Sequence, residues 1–116
     1  MTDKELLELA AKAVGYTLKY GDVYSLGDGE VDCTDLAYVV SGHPDEADWL
    51  WCPLEDDGDA LRLAVRLKLL VDVCKDQTEA GNSDCPYQCE LHLEDPYAAT
   101  RRAITRAAAE IGKEMK

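Results

Sequence analysis

The closing stretch of the chain constrains the fold more than any other. In "DPYAATRRAITRAAAEIGKEM", residues 95–115, Asp95 stands where a helix N-cap is needed and Pro96 at the first helical position, where its missing N–H costs nothing. Tyr97, Thr100, Ile104, Ala107, Ala108, Ile111 and Met115 then recur at helical spacing. The spacing predicts a helix from 96 to about 114 whose apolar side must be covered by the rest of the protein.

Two further helices are legible. Thr2 followed by Glu5 is a capping box, and Leu6, Leu9, Ala10, Ala13 and Val14 repeat until Gly15, which predicts a helix over 3–14. A third starts at Asp57 or Gly58 and runs to about Lys68, with Leu63, Leu67 and Leu70 on one stripe and Ala60, Leu61, Ala64 and Val65 beside it. So wide an apolar surface implies burial, with Arg62 and Arg66 as the exposed ridge.

Strand signals lie between the helices. Tyr16, Leu18 and Tyr20 alternate with Thr17 and Lys19, and Gly21-Asp22 is read as turning the chain into a partner strand at 23–26. "LLVDVCK" at 69–75 and "YQCELHL" at 87–93 read as strands, with "DQTEAGNSD" as the loop of their hairpin. Residues 27–53 lack a clear period: "GDGEVDCTD" reads as loop, "LAYVV" as a short strand or helical turn, and "HPDEAD" as turn-rich. The expected fold is one α+β domain over 1–116: a small mixed or antiparallel sheet of three to four strands, with about three helices on one or both faces. An acidic irregular segment at about 21–59 is set within it.

Composition agrees. A chain of 116 residues suits one core, and without Phe that core is aliphatic, completed by six Tyr and two Trp. Asp3, Glu5 and Glu8 exclude a secretory signal, and no run of about 18 apolar residues is present to span a bilayer. Cys33, Cys52, Cys74, Cys85 and Cys89 are an odd set without a disulfide framework, which suits a reducing compartment.

Charge is the most informative number. From Gly21 to Leu61 there are twelve acids and no Lys or Arg, so the middle segment carries the whole net charge of -12 and the remainder sums to zero. Within it, Glu55, Asp56, Asp57 and Asp59 resemble a metal site only in composition: the order of a calcium loop is absent, whereas acids in a first turn meet the positive end of the helix dipole and cap its N–H groups. Cys85, Cys89 and His92, with Cys74, invite a zinc reading that strand geometry opposes. Cys85 and Cys89 would lie up to about 13 Å apart, with His92 on the opposite face from Cys89. No metal or cofactor is therefore assigned. Cysteine paired with His43 or His92 forms no nucleophile motif, and no phosphate loop, dinucleotide fingerprint or G-x-S-x-G elbow is present. Arg101, Arg102 and Arg106 form a ridge on the last helix, with Glu110 within reach of Arg106. Overall charge opposes nucleic-acid binding by that ridge.

"TDKELLELAAKAVGY" at 2–16, "WCPLEDDGDALRLAVRL" at 51–67 and the closing stretch at 95–115 together resemble small tailed-phage and prophage proteins described as a phage helix-sheet-helix (ABA) sandwich domain. The matching stretches cover a little under half the chain. The resemblance implies a phage or prophage source, the cytoplasm of an infected or lysogenic bacterial host, and a three-layer sandwich. It implies no active site.

The expected function is a non-enzymatic phage accessory protein that binds a host or phage protein through an acidic face built from Asp28, Glu30, Asp32, Asp35, Asp45, Glu46 and Asp48. Phages carry small inhibitors of nucleic-acid-binding defence machinery, anti-CRISPR proteins among them, and a negative surface can occupy a groove built for phosphates. Duplex DNA carries one charge per roughly 1.7 Å, so twelve carboxylates on one face match about 20 Å of duplex. The alternative is a housekeeping or assembly module whose acids confer solubility and whose protein contacts run through Trp49, Trp51 or a helix face. Neither reading involves a membrane or direct nucleic-acid binding.

Overall fold

The computed structural model describes residues 2–19, 23–26, 29–32, 38–41, 49–83 and 85–115, with side chains over 2–16, 51–83 and 85–115. The three helices among the described residues begin at their caps. Helix α1 (Asp3–Val14) opens with the Thr2 hydroxyl accepting the Glu5 N–H at 3.2 Å and closes at Gly15, whose φ of 78° is a left-handed conformation that glycine adopts freely. Helix α2 (Asp57–Leu67) is capped by Asp56, which accepts the Asp59 N–H at 2.8 Å. Helix α3 (Pro96–Glu114) is capped by Asp95, which accepts from the Tyr97 and Ala98 N–H groups at 3.0 and 3.2 Å. The acidic knot of 55–59 is thus the start of a helix, as its sequence suggests.

Between α1 and α2 lie β1 (Thr17–Lys19), β2 (Val23–Leu26), β3 (Gly29–Asp32), β4 (Tyr38–Ser41) and β5 (Trp49–Trp51). They form an antiparallel sheet of order β1-β4-β5 and a separate β2-β3 hairpin. The expected pairing of residues 16–20 with 23–26 does not form: β1 pairs with β4, Thr17 opposite Ser41, and β2 pairs with β3, Val23 opposite Asp32. Gly27-Asp28-Gly29 is a denser turn signal than Gly21-Asp22, and part of the stretch read as loop becomes β3. Of the two readings of "LAYVV", strand holds for β4; "HPDEAD" lies outside the described residues.

After α2 come β6 (Leu70–Val73), β7 (Gln77–Asn82) and β8 (Cys85–Leu91), an antiparallel sheet with β7 in the middle. The stretch 76–84, expected as loop, therefore contains the central strand, and the flanking strands pair with it and not with each other. Burial explains why its composition misleads. Thr78 and Ala80 are fully buried beneath α3, where only small side chains fit, and Gly81 lies beneath Tyr87, whose ring would meet an added Cβ at 2.9 Å.

Among the described elements, helix α3 is the one the others gather around. It packs on β7 and β8 on one side and on α1 and α2 on the other. Ala103, Ala107 and Ala108 are fully buried, and their small size lets backbone approach from both directions. At Gly112 the approach is closest: an added Cβ would overlap the Leu9 carbonyl oxygen and sit 2.8 Å from its carbonyl carbon. Leu7, Ala10, Ala11 and Val14 of α1, Ala60, Leu63 and Ala64 of α2, and Trp51 complete the core. Trp51 meets Tyr16 edge to face, with centroids 5.7 Å apart.

Two outcomes refine the expected layering. Leu61 and Val65 are 61 % and 68 % exposed, so α2 buries a narrower stripe than its composition implies, because it rests on α3 along one line. Helix α3 lies on one face of the β6-β7-β8 sheet, with α1 and α2 packed against α3; on the other face Leu70, Tyr87 and Leu91 are more than half exposed. The fold is α+β with helices packing on an antiparallel sheet, and the described residues do not complete a second helical layer.

Candidate functional site

A groove of about 570 Å³ opens between β8 and the first turns of α3. Leu91, Leu93, Ala98 and Ala99 give it apolar walls, and Glu90 and Arg102 are its charged pair. The β8–α3 connection forms it. Asp95 N–H bonds back to the His92 carbonyl at 3.0 Å, and within that turn Leu93 takes a left-handed φ of 48° while 88 % exposed. A leucine in that conformation is strained by roughly 1–3 kcal/mol. The turn presents this apolar side chain to solvent beside the groove.

The groove's polar groups are committed to the fold. His92 is buried behind it, with Nδ1 3.3 Å from the Lys75 carbonyl and Nε2 2.8 Å from the Thr78 hydroxyl. A carbonyl only accepts, so Nδ1 is assigned the proton. Nε2 then accepts from Thr78, which in turn accepts the Thr100 hydroxyl at 2.8 Å. Glu90 accepts from Arg106 at 2.7 Å and lies 3.5 Å from Arg102. Neither His92 nor Glu90 is placed as an unengaged acid or base.

The same holds for the arginine ridge. Arg101 pairs with Asp57 at 2.6 Å and donates to the Leu54 carbonyl, Arg102 pairs with Asp3 at 2.9 Å, and Arg106 reaches Glu90 and the Cys89 carbonyl. Glu110, the neighbour suggested by helical spacing, is not the partner. Each such half-exposed pair contributes only about 0.2–1 kcal/mol, but together they lock α3 to α1, α2 and β8. The cations are consumed inside the fold.

Asp59 differs from its acidic neighbours. It is only 4 % exposed, and it accepts the buried Cys52 N–H at 2.9 Å and an Arg62 N–H at 2.9 Å. Burial pushes its carboxyl pKa up, against the lowering effect of those two donors. Burial likewise pushes the Cys52 thiol up, the direction that keeps it protonated and a poor nucleophile. Among the described residues no three of His, Cys, Asp and Glu gather to hold a metal ion. Cys85 is buried, Cys89 is exposed on the outer face, and His92 is bonded elsewhere, so the zinc set is dispersed.

The residues expected to form the acidic face divide as follows. Glu30 and Asp32 occupy alternate positions of β3, opposite Ser25 and Val23. Asp28, Asp35, Asp45, Glu46 and Asp48 lie outside the described residues. Trp49 stands in β5 opposite Val40, and Trp51 is 1 % exposed in the core, which removes it from any contact surface in this fold. The groove had no sequence signal: alternation in 87–93 assigns Leu91 and Leu93 to a face, not whether that face is covered.

Among known proteins, the chain matches no family, no curated protein and no solved structure.

Proposed function

We propose that this chain is a non-enzymatic accessory protein of phage or prophage type whose acidic middle segment binds a basic, nucleic-acid-binding protein of the host or the phage. One observation carries the reading. The arginines of α3, the densest cations in the chain, are paired with Asp3, Asp57 and Glu90, so they are already engaged within the fold and do not neutralise the rest of the segment from Gly21 to Leu61. Of its twelve acids, Asp57 and Asp59 have arginine partners among the described residues. A concentrated negative field suits a partner whose groove is built for phosphates.

The commitment of His92 and Glu90 to structural bonds supports binding over catalysis. The assembly-module reading keeps one observation in its favour, the exposed Leu61 and Val65 of α2, although Trp51 no longer contributes to it. The test is affinity capture from a bacterial host lysate at low and high salt, followed by elution with duplex DNA. The proposal expects nucleic-acid-binding proteins, held at low salt and displaced by the duplex. Partners retained at high salt and indifferent to DNA would instead support the module reading.

A further inference from the structure

We propose that the face of the β6-β7-β8 sheet turned away from α3, which none of the described elements covers, docks a single basic amphipathic helix from a partner protein. This inference stands on residues outside the acidic middle segment. Register and contacts order the face in three rows: Leu70 pairs with Gly81, which lies against Tyr87; Asp72, Glu79 and Cys89 follow; then Gln77 pairs with Leu91, and the Cys74 N–H bonds to the Gln77 carbonyl at 2.8 Å. Leu70, Tyr87 and Leu91 are 58 %, 53 % and 58 % exposed, so two apolar ends flank an acidic middle. Neither Asp72 nor Glu79 has a Lys or Arg within ion-pair distance among the described residues.

The dimensions and the charge choose the occupant. From Leu70 to Cys74 the face is about 13 Å long, and its three strands span about 10 Å, far below the roughly 800 Å² per partner that a stable interface between two folded domains buries. A second copy would also set Asp72 and Glu79 against their own counterparts, on chains that each carry -12. One helix, about 10–12 Å wide with side chains, has the right breadth. At 1.5 Å rise per residue it spans the face in about nine residues, with apolar side chains at its two ends and Lys or Arg midway. Cys89 stands opposite Glu79 on this face, and Cys74, one residue past β6, bonds through its N–H to the Gln77 carbonyl; both are exposed.

The two thiols report on occupancy. The probe is an alanine-based helical peptide with leucines about eight positions apart and two lysines between them. Alkylation of Cys74 and Cys89 in the full chain is followed by mass spectrometry at mildly alkaline pH, because desolvation and the Asp72 and Glu79 carboxylates push the Cys74 thiol up. With peptide at about ten times its Kd, labelling of both cysteines is expected to slow roughly tenfold. Protection should be lost when the peptide's lysines become glutamates, and in a Leu70→Ser, Leu91→Ser variant, whose two exposed positions leave the core intact. Unchanged labelling overturns the proposal, as does equal protection by the glutamate peptide. Protection that rises with protein concentration in the absence of peptide would assign the face to a second copy and overturn it too. Protection that survives Leu70→Ser, Leu91→Ser but vanishes on reversal of Asp28, Asp32, Asp45 and Asp48 to Lys would place the peptide on the acidic segment, against the proposal.

Discussion

Replacing Gly112 by alanine tests the packing on which the whole arrangement rests. The new methyl would overlap the Leu9 carbonyl oxygen, lie 2.8 Å from the carbonyl carbon and reach within 3.4 Å of the Ala13 nitrogen. All three atoms are α1 backbone, so no side chain can swing aside. Either α1 retreats from α3, or the last turn of α3 distorts. Overpacking of this kind costs about 1–3 kcal/mol and more where backbone must move, while alanine in place of glycine returns up to about 1 kcal/mol of helix propensity. The expected net loss is roughly 2 kcal/mol, which for a domain near 100 residues lowers Tm by about 8–16 °C. Urea denaturation followed by circular dichroism measures it, with Lys113→Ala, exposed one residue away, as the neutral control. If Gly112→Ala matches or exceeds the parent in stability, α1 and α3 do not meet as described.

Three other substitutions probe separate parts of the fold. Asp59→Asn should change the pH profile. The folded pKa of Asp59 is raised, so the folded state holds the proton more tightly than the unfolded one, and the parent loses stability as pH rises from the ordinary carboxylate range through that raised value. Denaturation at pH 3 to 7 should find the parent's advantage over the Asn variant largest at the acid end; a gap that widens with pH would contradict the assignment. Thr78→Val strips the buried His92 Nε2 of its donor and should cost about 1–3 kcal/mol in chemical denaturation, whereas Gln88→Ala, on the neighbouring strand, should cost less than about 0.5 kcal/mol. Trp51→Ala removes the largest fully buried side chain among the described residues and should cost about 3–5 kcal/mol, so loss of near-ultraviolet circular dichroism should accompany any loss of binding.

The helices were legible in the sequence because each carries its own start signal: Thr2, Asp56 and Asp95 each accept the backbone N–H groups that their positions suggest. The acidic knot was legible for the same reason. β7 was not. Its Thr78, Ala80 and Gly81 are selected by the closeness of α3 on one side and Tyr87 on the other, a tertiary demand that overrides strand propensity. Leu61 and Val65 misled in the opposite sense, since an apolar band on α2 records amphipathicity but not how much of it a neighbour covers. The arginine partners were hidden as well: Asp3, Asp57 and Glu90 lie 99, 44 and 16 positions away from the residues they hold. Spacing within one helix could suggest only Glu110.

The central claim is that a segment with twelve acids and no cation engages its partner through charge. The most direct measurement is the Kd of a purified captured partner, across a salt series, for the parent and for the variant with Asp28, Asp32, Asp45 and Asp48 reversed to Lys. The account predicts that parent affinity falls about a hundredfold over a fourfold rise in salt, and that the variant fails to bind even at low salt. A parent whose affinity barely changes with salt, or a variant that binds as tightly as the parent, would contradict it.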